Sequence, residues 1–221
     1  MKYVDLCVMC IKNVLRNDDG KFNEITFEDA RASGEYGDLI NNVDIDINSA
    51  IHRLITSDKI PTTEFVVDSP FNIDGDRRLK ELELDISSIA NDVYSIKYIY
   101  FVDDRYGERT PCAFKTIGNK KVIVKSIRSK GKFYINYVKS IPMLDSMNSD
   151  DRETDLMEKY NISDLMCTQY ILNFTKAKLW EEDEPQLSQN YMNYAEQFLS
   201  SIKNDENGYF QSEVEINEWN Y

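Results

Sequence analysis

The feature that most constrains this chain is a change of hydrophobic period that happens twice. Apolar residues recur every three or four positions up to about residue 60, alternate with polar ones as far as residue 142, and then return to helical spacing. A helix buries a stripe and a strand buries alternate residues, so neither a pure bundle nor a pure sheet satisfies both patterns. The fold class expected is α+β: a helical bundle with a C-terminal αα-hairpin, an inserted antiparallel β region forming a small barrel or sandwich, and an extended C-terminal tail. The boundaries drawn from the pattern are 1–60 for the N-terminal helices, 61–142 for the inserted β domain, 143–203 for the helical hairpin that completes the helical domain, and 204–221 for a docking tail.

Val4, Val8, Ile11 and Leu15 mark the first helix, stopped by Asn17, Asp18, Asp19 and Gly20. The stretch from Phe22 to Gly37 has no sustained period and reads as an ordered loop. Asp38 is a candidate N-cap for a second helix with Leu39, Val43, Ile47, Ile51 and Leu54 along one face and Ala50 beside them. Val43, Ile45 and Ile47 also alternate with Asp44, Asp46 and Asn48 as a strand would, but only the helical spacing continues through Leu54.

In the β region the expected strands are Glu64 to Val67, Leu79 to Ile86, Tyr94 to Val102, Ala113 to Ile117, Lys121 to Ile127 and Phe133 to Lys139. Gly118-Asn119 and Lys130-Gly131 are placed to turn two successive hairpins. Strict alternation gives one face of the third strand to Tyr94, Ile96, Tyr98 and Tyr100, and the other to Lys97, Ile99 and Phe101. A polar, flexible link runs from Met143 to Glu153. Ser163 then caps a helix over Asp164 to Glu182, with Met166, Tyr170, Ile171, Phe174, Ala177 and Leu179 buried. After the acidic corner Glu181 to Glu184, Pro185 opens a last helix along Leu187, Tyr191, Tyr194, Phe198 and Ile202, folding back on the previous one. The tail alternates Phe210, Val214 and Ile216 with Glu213, Glu215 and Asn217, a pattern that docks on this domain or adds to the edge of another chain.

Acidic residues outnumber basic ones by 39 to 26, for a formal net charge of -13. Binding nucleic acid by counterion release needs clustered Lys and Arg, so this balance argues against a protein whose task is to grip DNA or RNA, while leaving room for one past which DNA slides. No apolar run approaches the roughly eighteen residues of a membrane span, and no apolar leader follows a basic start. The four cysteines are too few and too scattered for a disulfide framework, in keeping with reduced thiols in a cytoplasm.

Sites for chemistry are sparse. Cys7 and Cys10 have the spacing of half a zinc site or of a redox pair, but no second Cys pair follows, and they fit better as small apolar side chains. His52, the single histidine, lies just off the apolar stripe of the second helix with nothing to complete a triad. Asp18-Asp19-Gly20, Asp74-Gly75-Asp76 and Asp103-Asp104 do not continue into a calcium loop, and no phosphate-binding or nucleophile-elbow motif occurs. The expectation is no catalytic residue, no metal and no cofactor. Lys115, Lys120, Lys121, Lys125, Arg128, Lys130, Lys132 and Lys139 form a local basic stretch. Of these, Lys120, Lys121, Lys125, Arg128, Lys130 and Lys132 are the candidates for a DNA- or partner-facing patch; the plainer role is that of solvated lysines that block edge pairing.

The order of elements resembles the head-to-tail connector proteins of tailed bacteriophages, in particular the adaptor class related to tail tubular protein A. Local likenesses are Leu84 to Ile89 followed by Val93 to Ile96, the strand Phe133 to Pro142, and the helical return through Glu153 to Leu156, Asp164-Leu165, the acidic corner before Pro185 and Tyr191 to Ile202. The resemblance implies a virion protein, made in the bacterial cytoplasm, that assembles as a ring of twelve copies at the portal–tail junction. It implies a phage portal protein above, a tail or second ring protein below, double-stranded DNA passing through the lumen, and no membrane. Tyr209, Phe210, Val214, Ile216, Trp219 and Tyr221 would dock on the portal or a neighbouring subunit. The alternative is a non-ring scaffold or tail-assembly interaction protein.

Overall fold

The structure is a computed structural model that describes residues 1–15, 37–69, 81–117, 121–125, 130–162 and 165–202. Most of the expected 22–37 loop, the Gly118-Asn119 turn, the Ser163 cap and the whole tail lie outside these residues. The chain divides into two compact units, one from residues 1–60 and 142–204, the other containing residues 61–141.

In the helical unit, α1 (Tyr3–Leu15) and α2 (Gly37–Thr56) come from the N-terminal part of the chain, and α3 (Ser149–Arg152), α4 (Leu156–Tyr160), α5 (Leu165–Leu179) and α6 (Pro185–Ser201) from the C-terminal part. α5 packs against α2 and α6, and α1 lies on α2 and α5. The buried face of α1 is Tyr3, Leu6, Cys7, Cys10 and Ile11, whereas Val4 and Val8 are only half-buried. The stripe read from the sequence is therefore rotated toward Tyr3, Leu6 and the two thiols, with Tyr3 and Cys7 donating to the buried Asp44 of α2. α2 buries Ile40, Val43, Ile47, Ala50, Ile51 and Leu54 and leaves Ile45 exposed, which settles helix over strand. Pro185 sits in the first turn of α6, where its missing N–H has no helical acceptor to lose.

The expected flexible link after Met143 is instead pinned down. Leu144 and Ser146 are buried, Asn148 caps α3 by accepting from the Asp150 N–H, and Asp155 caps α4 by accepting from Met157 and Glu158. Asn161, at φ 60, closes α4 in the left-handed conformation that asparagine tolerates.

The β unit contains β1 (Thr63–Asp68), β2 (Glu81–Asp85), β3 (Val93–Asp103), β4 (Arg109–Cys112), β5 (Phe114–Ile117), β6 (Lys121–Lys125) and β7 (Gly131–Lys139). Their order is β1-β7-β3-β4 in one sheet and β2-β6-β5 in the other, every pair antiparallel. The expected helical bundle carrying a small barrel or sandwich is thereby corrected: among the described residues the chain has six helices and seven strands in two separate antiparallel sheets, neither closed into a barrel. Closure would require edge strands to pair across the sheets. Instead the chain steps from one sheet to the other at Ala113, between β4 and β5. Leu82, Leu84, Val122 and Val124 of the three-stranded sheet share one core with Ile99, Phe101, Phe133 and Ile135 of the four-stranded sheet.

Three further expectations change. The second hairpin does not form, because β6 pairs with β2 and β5 while β7 pairs with β1 and β3. Gly131 is not a turn residue either; it opens β7 opposite Asp103, and a Cβ there would lie 2.1 Å from the Val102 carbonyl oxygen and 2.4 Å from Phe101 Cζ. Its role is close approach. On β3 the register against β7 skips at Tyr94 and at Lys97, so Ile96 packs against the same core as Ile99 and Phe101 and leaves the face of Tyr98 and Tyr100.

Candidate interaction surfaces

Both sheets of the β unit turn one face to the shared core, so alternate residues define two outward faces. On the three-stranded sheet the outward residues are Glu81, Glu83 and Asp85 of β2, Lys121, Ile123 and Lys125 of β6, and Lys115 and Ile117 of β5. Register puts Glu81 opposite Lys125 and Asp85 opposite Lys121, while Lys121 Nζ reaches diagonally to Glu83 Oε1 at 2.5 Å. The hydrogen bond and charge of Glu83 raise the Lys121 pKa, and bonding to Ser87 with help from Lys121 lowers that of Asp85. A column of acids thus faces a column of lysines across the sheet, a stabilising cross-strand arrangement.

On the four-stranded sheet the outward grid runs Glu64, Val66 and Asp68 on β1; Asn136, Tyr134 and Lys132 on β7; Tyr98, Tyr100 and Val102 on β3; and Pro111 and Arg109 on β4. Tyr100 and Tyr134 stack with ring centroids 4.9 Å apart and planes 5° from parallel, and the Arg109 guanidinium lies 4.7 Å over the Tyr100 ring. The Tyr100 hydroxyl donates to Glu64 Oε2. Burial first, and then this bond, push the Tyr100 phenol up to about 12. Lys132 Nζ stands 4.0 Å from Asp68 Oδ1.

These geometries divide the basic stretch read from the sequence. Lys121 and Lys125 stand on the outward face of one sheet beside acids, Lys132 on the outward face of the other, and Lys130 is exposed just ahead of β7; Lys120 and Arg128 lie outside the described residues. The described lysines do not form one positive patch. The signal that points to the pairing is the match of two runs of equal length, ELELD with acids two apart and KVIVK with a lysine at each end. Tyr209, Phe210, Val214, Ile216, Trp219 and Tyr221 all lie outside the described residues.

The other polar cluster belongs to the helical unit. Asp44 is 8% exposed, and its Oδ1 accepts from the Tyr3 hydroxyl at 2.9 Å and the Cys7 thiol at 3.5 Å. Its Oδ2 accepts from the Ser146 N–H at 3.0 Å and the Ser146 hydroxyl at 2.6 Å. Asn48 adds a second tie, donating to the Leu144 carbonyl at 2.8 Å and accepting from the Leu144 N–H at 2.9 Å. The cluster joins α1, α2 and the segment entering α3. Burial raises the pKa of Tyr3 and of Cys7 and pushes the Cys10 thiol up to about 12, so both thiols of the Cys-x-x-Cys pair are held protonated and unreactive. None of the four cysteines is in a disulfide, and among the described residues no three His, Cys, Asp or Glu side chains converge as a metal site. His52 is exposed on α2. Asp103 ends β3, and its carboxylate accepts from the Arg105 N–H in the turn that follows.

Among the described residues no helix is long and apolar enough to cross a membrane. Neither a protein-family model nor a curated protein sequence matches the chain.

Proposed function

We propose that the chain is a structural assembly protein of the head-to-tail connector type, forming a ring that joins a phage portal to the tail and leaves a lumen for DNA. The observation that supports this reading is the two-ended helical unit, in which α1 and α2 pack with α5 and α6 while the β unit leaves the chain at Pro61 and returns it at Ile141. That is the element order on which the resemblance to adaptor proteins rests. The buried polar groups support the same reading, because Asp44, Tyr3, Cys7 and Ser146 are engaged with one another and hold elements together.

Electrostatics fit a conduit. With a formal net charge of -13 and the β6 lysines matched by β2 acids, the chain repels phosphate at short range and gives DNA few places to dwell. The ring, of twelve copies, would stand between the portal and the next tail component. The experiment is native mass spectrometry with electron microscopy of the purified protein, alone and with portal. A closed ring in either sample is the expected result. A protein that stays monomeric in both overturns the connector reading and leaves a scaffold or tail-assembly role.

A further inference from the structure

We propose that Lys176, Trp180 and Tyr191 of the helical unit form a binding site for a small monocarboxylate, with the Lys176 ammonium and the Trp180 indole N–H as its two donors. The site goes beyond the connector reading and does not depend on it.

Lys176 lies on α5 with 6% of its surface exposed, although lysine is almost never buried without a counter-charge. Its Nζ stands 4.3 Å from the centroid of the Tyr191 ring on α6, which attracts the charge but supplies no oxygen acceptor. Among the described residues no carboxylate lies within ion-pair distance of this ammonium, and Glu181, close by in sequence, is taken by Lys178 at 2.9 Å. One turn further on, the Trp180 indole N–H is buried and has no acceptor either. Residues four apart share a helix face, and the Trp180 backbone N–H bonds the Lys176 carbonyl at 3.2 Å, so the helical turn runs unbroken from one to the other. Two unsatisfied donors, one of them cationic, thus stand on one face.

The backbone acceptors around them are already used. The Lys176 carbonyl takes the Trp180 N–H, the Ala177 carbonyl the Ser188 hydroxyl, the Lys178 carbonyl the Glu181 N–H and the Trp180 carbonyl the Glu184 N–H. The end of α5 favours a cation through its dipole, which accounts for the charge of Lys176 and not for its missing acceptor. What completes the pair is an anion with two oxygens, each accepting one bond, and that describes a carboxylate. Its single charge balances that of Lys176. A phosphate dianion would leave one charge uncompensated beside the exposed acids Glu181, Glu182, Asp183 and Glu184. Trp180 and Tyr191 are only half-buried, so the site opens to solvent beside them.

The test uses the full-length protein carrying Trp219→Phe, so that Trp180 is the single tryptophan and its fluorescence reports on its own N–H. Sodium acetate at neutral pH, with ionic strength held constant by chloride, should change the emission saturably, with a midpoint of about 1–10 mM as one charge-assisted contact allows. Phosphate should act more weakly by about fivefold or more, because its second charge has no partner. Lys176→Met, similar in length and uncharged, should abolish the response while the far-ultraviolet circular dichroism stays that of the parent. Thermal unfolding gives a second reading, in which acetate raises the midpoint of the parent by mass action and raises that of Trp180→Phe by about half as much or less. That comparison decides the matter should Lys176→Met fail to fold. No saturable change up to about 100 mM acetate, an equal response in the Lys176→Met protein, an undiminished thermal shift in Trp180→Phe, or phosphate binding as tightly as acetate would each overturn the proposal.

Discussion

Replacing Asp44 with alanine should destabilise the helical unit more than any other single change of an acidic residue described here. The carboxylate serves four neutral donors, and Ser146, with no exposed surface, supplies two of them. Without Asp44 the Ser146 N–H and hydroxyl lose their acceptor, and each buried donor left unsatisfied costs about 1–3 kcal/mol. The Tyr3 hydroxyl loses less, because the Leu144 carbonyl stands 3.4 Å away. The sum is roughly 2–6 kcal/mol for Asp44→Ala. Asp44→Asn keeps the volume and one acceptor oxygen, exchanging charge-assisted bonds for neutral ones, and should cost about 1–2 kcal/mol. Urea unfolding followed by circular dichroism at 222 nm reads this unit, since every described α-helix belongs to it. An Asp44→Ala midpoint within about 0.5 kcal/mol of wild type, or an asparagine variant weaker than the alanine one, would refute the view of Asp44 as the tie between α1, α2 and the α3 segment.

Two further outcomes follow from the packing and the charges. Gly131→Ala should lower the stability of the β unit by about 1–3 kcal/mol or more, because its Cβ collides with the Val102 carbonyl and the Phe101 ring; unchanged amide exchange in β3 and β7 would contradict this. Burial pushes the Asp46 carboxyl up to about 6, with Lys178 lowering it and Glu181 raising it. A folded pKa above the unfolded one means the native state holds the extra proton, so stability should fall as pH rises from about 4 through about 6. Asp46→Asn should flatten that decline, and a variant whose pH profile parallels wild type would refute the assignment.

The long helices were legible as elements, α2 by a stripe over five turns and α6 by Pro185 at its start, whereas α3 and α4, four and five residues long, are too short to show a period and were missed. Strand positions were legible from Val, Ile, Tyr and Phe, but strand partners were not, since pairing is decided by packing between residues far apart in sequence. That is how β6 and β7, adjacent in the chain, came to belong to different sheets. β4 went unseen because Arg109–Cys112 contains a proline and no apolar alternation. The extra residues Tyr94 and Lys97 change the parity of β3 without any glycine to announce them. Asp44 looked like one more acid on a helix, yet it lies at stripe spacing from Ile40, Ile47 and Ile51, and that spacing was the available clue. The split of the basic stretch required the register of β2 on β6, which composition does not carry.

The assembly of the helical unit from two distant stretches sets a timetable for biosynthesis. α1 and α2 leave the ribosome well before α5 exists, with roughly 110 residues still to be made between the end of α2 and the start of α5. At synthesis rates of about 5–20 residues per second that interval lasts roughly 5–20 s. Until α5 is made the apolar faces of α1 and α2 lack their cover, whereas the described strands find their partners within residues 61–141 as soon as β7 is complete. Nascent chains in which residue 142 has cleared the ribosome and α5 has not should accordingly present a protease-resistant middle and a digestible front.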